Sequence, residues 1–397
     1  MRSRRTAAVA LLAAATFAAG CDLTVTNPGP LLDEDLNNVN AIPALVNGMG
    51  GDLSNAIGNY LTRGSLAGLE LVHSGNFSAE RQFFIGVIRP EDVNGDWARL
   101  HTARWVAENG LERMKTVLGT AFETNTNTPR AYLYAGFANR FLGENVCETT
   151  IDGGPKQSNT VHFVRAESLF TRALTLARAQ NNTALTNAAL AGRAQVYADQ
   201  GKWTEAAADA AQVPISFRHN AIFSTNTARE NMDLATQTIS RREVTVWNTV
   251  WVADRDPRVP YDTVKTGTAI TKGQDGTTNF FRQRKYITLG DPMALARGTE
   301  MLLIRAEAAL RSNDVTSAMT FINQERAASS LPALTATTVD AAFVILMRER
   351  GAVLWLEGRR LFDLRRWLAE GRNTALQGRS TCMPISQEEI GANPNLR

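Results

Sequence analysis

Cysteine is scarce in this chain: 397 residues contain three. That count excludes a disulfide framework and a four-cysteine zinc site. Histidine is nearly as rare, and His73, His101, His162 and His219 stand apart in sequence. No HExxH and no His/Cys cluster suggests a metal, and no cofactor is expected. Lysine numbers six against 36 arginines. Without a basic run or an aromatic–basic array, nothing supports nucleic-acid binding. No Walker A loop occurs, since the glycines from Gly267 to Gly273 lack the lysine–serine ending, and there is no GxSxG elbow. Gly48-Met49-Gly50-Gly51 falls in a helical stretch, which weakens its reading as a phosphate-binding turn. Acidic residues are plentiful, but nothing singles out a pair for glycoside hydrolysis. With 44% hydrophobic and 20% charged residues, the chain has a globular rather than a disordered composition.

The formal charge of +3 is unevenly placed. Arg2, Arg4 and Arg5 precede the apolar run Ala7–Ala19, and residues 1–20 hold no acid. From residue 21 onward, 39 basic residues face 39 acidic ones. A basic start, a short apolar run and small residues before a cut site form an export signal, expected over 1–20. The run of thirteen residues is too short for a permanent transmembrane helix. Ala18-Ala19-Gly20-Cys21 resembles a bacterial lipobox, in which the cysteine is acylated before cleavage. The alternative is an ordinary signal with Cys21 incidental. Residues 21–40 are polar and proline-bearing, as a lipid-anchored tether should be. If Cys21 is acylated, Cys147 and Cys382 remain in a compartment that permits disulfides. A bridge is the economical reading, contributing at most roughly 5 kcal/mol over so long a loop. Two buried thiols are the alternative.

Most of the chain beyond residue 40 carries apolar residues at three- and four-residue steps. This period predicts helices near 41–60, 95–118, 130–143, 162–180, 184–200, 203–212, 292–311, 315–328 and 338–371. Between 213 and 291 the period breaks into alternating or clustered Val, Thr, Gly and aromatics, as in Val244–Val252. An internal repeat underlies the helices. Leu190, Ala194, Tyr197, Gly201, Trp203 and Ala206 have the same spacing as Leu302, Ala306, Ala309, Asn313, Val315 and Ala318. This is a tetratricopeptide-type pattern, in which small residues let two antiparallel helices approach. A further unit places Tyr134, Ala138 and Phe141 on one helix and Phe163, Ala166, Phe170 and Ala173 on the next. The expected fold is therefore mostly α: tetratricopeptide-like helix pairs over about 95–212 and 292–371, with an irregular, partly β insert over about 213–291, all within one domain spanning 41–397.

The densest motif is Arg348–Trp367. Phe343, Met347, Leu354, Leu361, Leu364 and Leu368 give it an apolar stripe, with Arg359 and Asp363 at i, i+4. Its wording resembles the late helix of the SusD/RagB family of outer-membrane nutrient-binding lipoproteins, ER..EL..EG.R..DL.RW. Glu349-Arg350, Glu357-Gly358, Arg360, Asp363-Leu364 and Arg366-Trp367 fit, while Val353 replaces a glutamate. Asn47-Gly48, Asp256-Pro257-Arg258, Arg297–Leu310, Pro384-Ile385, Glu389-Ile390 and Asn393-Pro394 are similar to other family segments in the same order. The resemblance implies a right-handed helix-pair scaffold and a surface lipoprotein of the outer membrane that catalyses no reaction. It further implies a SusC-like TonB-dependent transporter as partner, with the protein as its lid, and an oligosaccharide or peptide nutrient as ligand.

Sugar recognition needs aromatic faces together with hydrogen-bonding side chains. Trp105, Trp203, Trp355 and Trp367 lie on helices or repeat positions and read as core. Trp97 opens a helix, near where family members carry ligand contacts. Asn76, Phe77 and Arg81 occupy a polar, loop-like stretch, and Trp247, Trp251, Phe280 and Phe281 come from the irregular insert. Each of these eight is a candidate ligand contact, with local packing as its alternative. Two other functions compete with the nutrient-binding lid: a helical-repeat lipoprotein scaffolding envelope assembly, and a secreted glycoside-acting enzyme.

Overall fold

A computed structural model describes residues 33–397. The expected export signal, Cys21 and the first part of the expected tether lie outside the described residues. Residues up to Ala41 form one unit, whose described part carries the 3-10 turns Asp33–Leu36 and Val39–Ala41. Ile42–Arg397 forms the other.

The second unit is mostly helical. Helix α1 (Ile42–Ala67) includes Gly48, Gly50 and Gly51, so no phosphate-binding loop forms there. Then come α2 (Ser78–Ile85), α3 (Asn94–Leu118), α4 (Thr128–Asn145), α5 (Thr160–Ala179), α6 (Thr183–Asp199) and α7 (Trp203–Ala210). After the insert follow α8 (Gly298–Arg311), α9 (Val315–Ala328), α10 (Val339–Val353), α11 (Arg360–Ala369) and α12 (Gln387–Ala392). Local chemistry starts several of them. Asn182 accepts from the Leu185 N–H at 3.0 Å, and Asp314 accepts from the Ser317 N–H at 2.9 Å.

The helices pack as neighbouring pairs: α4 with α5, α6 with α7, and α8 with α9. Close approach depends on missing side chains. A Cβ on Gly136 of α4 would stand 2.7 Å from the Phe170 ring, and one on Gly192 of α6 would stand 2.5 Å from it. Phe170, wholly buried, thus fills space that both neighbours vacate. The two copies of the repeat turn alike: Gly201 and Asn313 both take left-handed backbone, at φ +75° and +62°.

The insert supplies most of the short strands, which lie in antiparallel pairs. These are β1 (Val72–His73) with β5 (Val244–Thr245), β6 (Tyr261–Thr263) with β9 (Phe281–Gln283), and β7 (Lys265–Thr266) with β8 (Ala269–Ile270). Strand β4 (Arg218–Ala221) pairs with β10 (Met293–Arg297), and the hairpin β2 (Glu148–Thr149) with β3 (Gln157–Ser158) fills the corner between α4 and α5. Cys147 and Cys382 are joined, with Cα atoms 5.2 Å apart.

Three expectations need correction. Residues 293–297 are strand, because a short apolar run reads equally as a buried strand or a helix start. The stretch 338–371 is two helices, since Leu356 and Gly358 take left-handed backbone and end the first. The loop expected around Asn76–Arg81 becomes α2, closed by Gly86 at φ +76°, whose N–H donates to the Gln82 carbonyl. Its one buried side chain, Phe83, leaves almost no period to detect.

Candidate functional site

The stretch before α2 is strapped to the insert. Glu243, 1% exposed, accepts from the Asn76 N–H at 2.9 Å, and the Ser74 N–H donates to the Glu243 carbonyl at 2.8 Å. Phe77 caps α2 without a side-chain hydrogen bond, and the Arg241 guanidinium lies 4.5 Å from its ring centroid. Below Phe77 opens a cavity of about 330 Å³, lined by α1, α2, the start of α3 and the segment around Asp233. Arg63 organises it, donating to Glu80 at 3.2 Å and to Asp96 at 2.7 Å. Burial alone lowers the Arg63 pKa, but the two carboxylates raise it well above the ordinary value, so it stays charged. Asp96 and Asp233 are pushed up by burial, partly offset by Arg63 at the first and by the Gln237 hydrogen bond at the second. Asn59, Arg99 and Gln237 complete the polar wall. One partly exposed aromatic face above hydrogen-bonding groups held in place is what a sugar ring needs.

The other candidates divide by exposure. Asn76 and Arg81 are exposed, with Arg81 on α2 but outside the cavity lining. Trp247 and Phe281 are partly exposed on the insert, where Phe281 stacks parallel to Tyr261 with centroids 5.8 Å apart. Phe280 and Trp251, each 2% exposed, are core instead of ligand contacts. Side chains alternate along an extended segment, so the outward Phe281 sends Phe280 inward. Trp251 sits on the helical turn Val250–Asp254 under the Arg360 guanidinium, 5.6 Å from its ring centroid. The structure therefore brings Asn76 and Phe77 together with Arg241 and Glu243, and leaves Trp97 elsewhere.

Trp97 is 4% exposed and packs against His101, with ring centroids 4.3 Å apart. The tryptophan of α3 that reaches solvent is Trp105, 50% exposed, where core was expected. Leu100, Ala103, Ala107, Leu111 and Met114 form the buried stripe of α3. At about 100° per residue Trp105 falls roughly 150° from its centre, so the spacing itself carried the signal. Trp355 and Trp367 are fully buried, and Trp203 is half-buried between the Arg311 and Arg366 guanidiniums. The histidines are less isolated than their sequence positions: the rings of His101 and His162 meet at 6.0 Å. Among the described residues no group of His, Cys, Asp and Glu could hold a metal ion.

The model of the SusD family matches residues 218–381. No curated protein matches the sequence. Among solved structures, a putative sugar binding protein from Bacteroides vulgatus superposes with TM-score 0.68 at 16% identity, covering 91% of this chain and 98% of its own. A SusD-like carbohydrate binding protein from the same organism gives 0.62 at 15%, covering 83% of each chain. Surface glycan-binding protein A from Bacteroides uniformis gives 0.58 at 15%, covering 90% of this chain and 98% of its own. Residues 218–381 thus match the SusD family, and over the rest of the chain the likeness to SusD superfamily structures is one of fold.

The charged letters of the SusD/RagB motif turn out to be buried glue. Glu349 accepts from Arg258 at 2.7 Å and from Arg326 at 2.6 Å, which ties the Asp256-Pro257-Arg258 turn to α9 and α10. Glu357 accepts from Lys285 at 2.7 Å and also from Arg297. Asp363 is held by Arg350 at 2.7 Å and Arg366 at 3.0 Å, not by the expected Arg359. Arg359 instead reaches Glu144 of α4 at 2.5 Å. These groups join distant helices and line no part of the Phe77 cavity.

Proposed function

We propose that this protein binds a glycan in the cavity under Phe77 and delivers it to a SusC-like TonB-dependent transporter as its lid. In this reading the protein works at the outer membrane, held through a lipid on Cys21, and transforms nothing chemically. The observation that carries the reading is the cavity itself. Phe77 offers an apolar ring face, while Arg63, Glu80 and Asp96 are fixed by one another before any ligand arrives. Groups already held in place lose little freedom on binding, which favours a polar ligand that must meet several of them at once. The similar structures, a carbohydrate binding protein and a surface glycan-binding protein among them, support the ligand class. Phe77→Ala should weaken binding of an identified oligosaccharide about tenfold, equivalent to about 1.4 kcal/mol. Isothermal titration against a glycan panel measures this. Unchanged affinity in Phe77→Ala would remove the cavity from the proposal. Detergent extraction that never recovers a transporter barrel with the protein would remove the lid.

A further inference from the structure

Helix α3 has a second furnished face. Asp96, in the Phe77 cavity, and Trp105 are nine residues apart, so they point about 180° from each other. Around Trp105 lie two adjoining hollows, of about 580 and 380 Å³, which share Arg104, Trp105 and Asp152. Their walls are rigid. Arg104, 3% exposed, donates to Asp152 at 2.5 Å and to Glu108 at 2.9 Å, and Arg165 donates to the same Glu108 at 2.6 Å. The loop bearing Asp152 is fixed by the Cys147–Cys382 bond, and Asn393 and Asn395 donate to the carbonyls of Gly154 and Gly153 at 2.9 and 2.7 Å.

Two observations point to a ligand here. Trp105 is half exposed with a flat apolar face, and no hydrogen-bonding need requires a tryptophan in that position. On the wall of the smaller hollow, which Trp105 also lines, the buried His101 Nε2 has no hydrogen-bond partner. Such an atom is costly to leave unmade. Burial keeps this imidazole neutral, lowering its pKa to about 3, so the wall carries no charge at that point. The larger hollow balances Arg104, Lys115 and Arg165 against Glu108, Glu112 and Asp152. The larger hollow thus gives no electrostatic case for an ionic ligand, and the smaller, with Asp152, Glu388 and Glu389 against Arg104, disfavours an anion.

We infer that the cleft around Trp105 is a second carbohydrate site, separate from the Phe77 cavity, which takes a neutral oligosaccharide with one ring on Trp105 and the next near His101. This rests on the glycan reading above for its ligand class and adds a second place of contact. Two sites on opposite faces of one helix would let a single chain hold a long glycan at two points, so that the second binding event becomes intramolecular.

The test is isothermal titration of the purified full chain with maltohexaose, cellohexaose, xylohexaose and mannohexaose. It compares wild type, Trp105→Ala, Trp105→Phe and Phe77→Ala, each checked for folding by circular dichroism. Two sites per chain are expected for a glycan that binds. Trp105→Ala should lose one of them, Trp105→Phe should restore it, and Phe77→Ala should keep it. One site per chain with Trp105→Ala titrating like wild type overturns this inference and leaves the Phe77 reading standing. No binding of any of the four glycans to wild type overturns both for neutral glycans. Unchanged titration with loss of a co-purifying transporter in Trp105→Ala would make the cleft a protein-docking face and overturn the second site.

Discussion

Glu307 is fully buried where α8 meets α11, and it accepts from Arg366 at 2.7 Å, from Arg311 at 2.9 Å and from the Trp367 indole at 3.3 Å. Burial by itself raises its pKa, but the two guanidiniums prevail and hold it at about 2 against an ordinary 4.5. A carboxylate lowered in the folded state contributes stability that is complete above its unfolded pKa and disappears as pH falls through the folded one. Here that window runs from about pH 4.5 down to about pH 2. Glu307→Gln should therefore cost roughly 3 kcal/mol at pH 6, and the deficit should shrink by roughly 2 kcal/mol by pH 3, as the wild type loses what the variant never had. Urea denaturation of both at the two pH values checks it, and a deficit independent of pH would mean that shape, not charge, is what Glu307 supplies. At this same scale the sequence was readable in part. The helical wheel of α3 held enough to turn Trp105 outward, although core was expected there. The burial of Phe280, by contrast, depends on strands that pair across the insert, and that of Trp251 on Gly351 and Arg360, far along the chain. The partners of Arg359 were hidden for a related reason: Glu144 comes from α4, 215 residues earlier, so no local spacing could name it.

At the scale of elements, the period of apolar residues located most helices of the second unit, and the matched spacing of 190–206 and 302–318 located two turns. What it missed was short or interrupted. The apolar stripe continues across 354–359 because both flanking helices bury one face, yet the chain reverses there. The Leu356 N–H is taken by the Glu70 carboxylate at 2.8 Å, and Gly358 goes left-handed. Gly358 was the one local sign of that break. The corner between α4 and α5 is an element of another kind, a hairpin joined covalently to the C-terminal segment. Because Cys147 and Cys382 are separated by 235 positions, the chain-entropy argument sets an upper bound of about 5 kcal/mol on what the bond contributes. Reductant should lower the calorimetric melting temperature of the wild type and leave that of the Cys147→Ser/Cys382→Ser double variant unchanged. Since the same hairpin carries Asp152, the double variant should also weaken binding at the Trp105 cleft while sparing the Phe77 cavity, on the opposite face of α3. Equal melting temperatures with and without reductant in the wild type would assign the bond no part in stability.

Over the whole molecule, the match to the SusD family over 218–381 was legible from one charged motif, whose letters are buried cross-links that hold the helices together. The proposed ligand site was less legible, since the Phe77 cavity draws on α1, α2, α3 and the insert at once. If the protein works at the outer membrane as proposed, some feature must hold it there. From residue 21 onward its charges balance at 39 against 39, so attraction to anionic headgroups is not available as a general force. No helix among the described residues is long and apolar enough to cross a bilayer. The feature in the sequence that offers attachment is Cys21, behind the expected export signal. Acylation supplies about 0.8 kcal/mol per buried CH₂, so one chain binds marginally and two or more bind stably. Wild type should thus sediment with membranes and resist a wash in molar salt, because the attachment is hydrophobic. Cys21→Ala should appear in the soluble fraction, with its glycan affinity intact. Ultracentrifugation followed by blotting of both fractions reads this directly. Retention of Cys21→Ala in the salt-washed membranes would show that a protein partner, not lipid, holds the molecule in place.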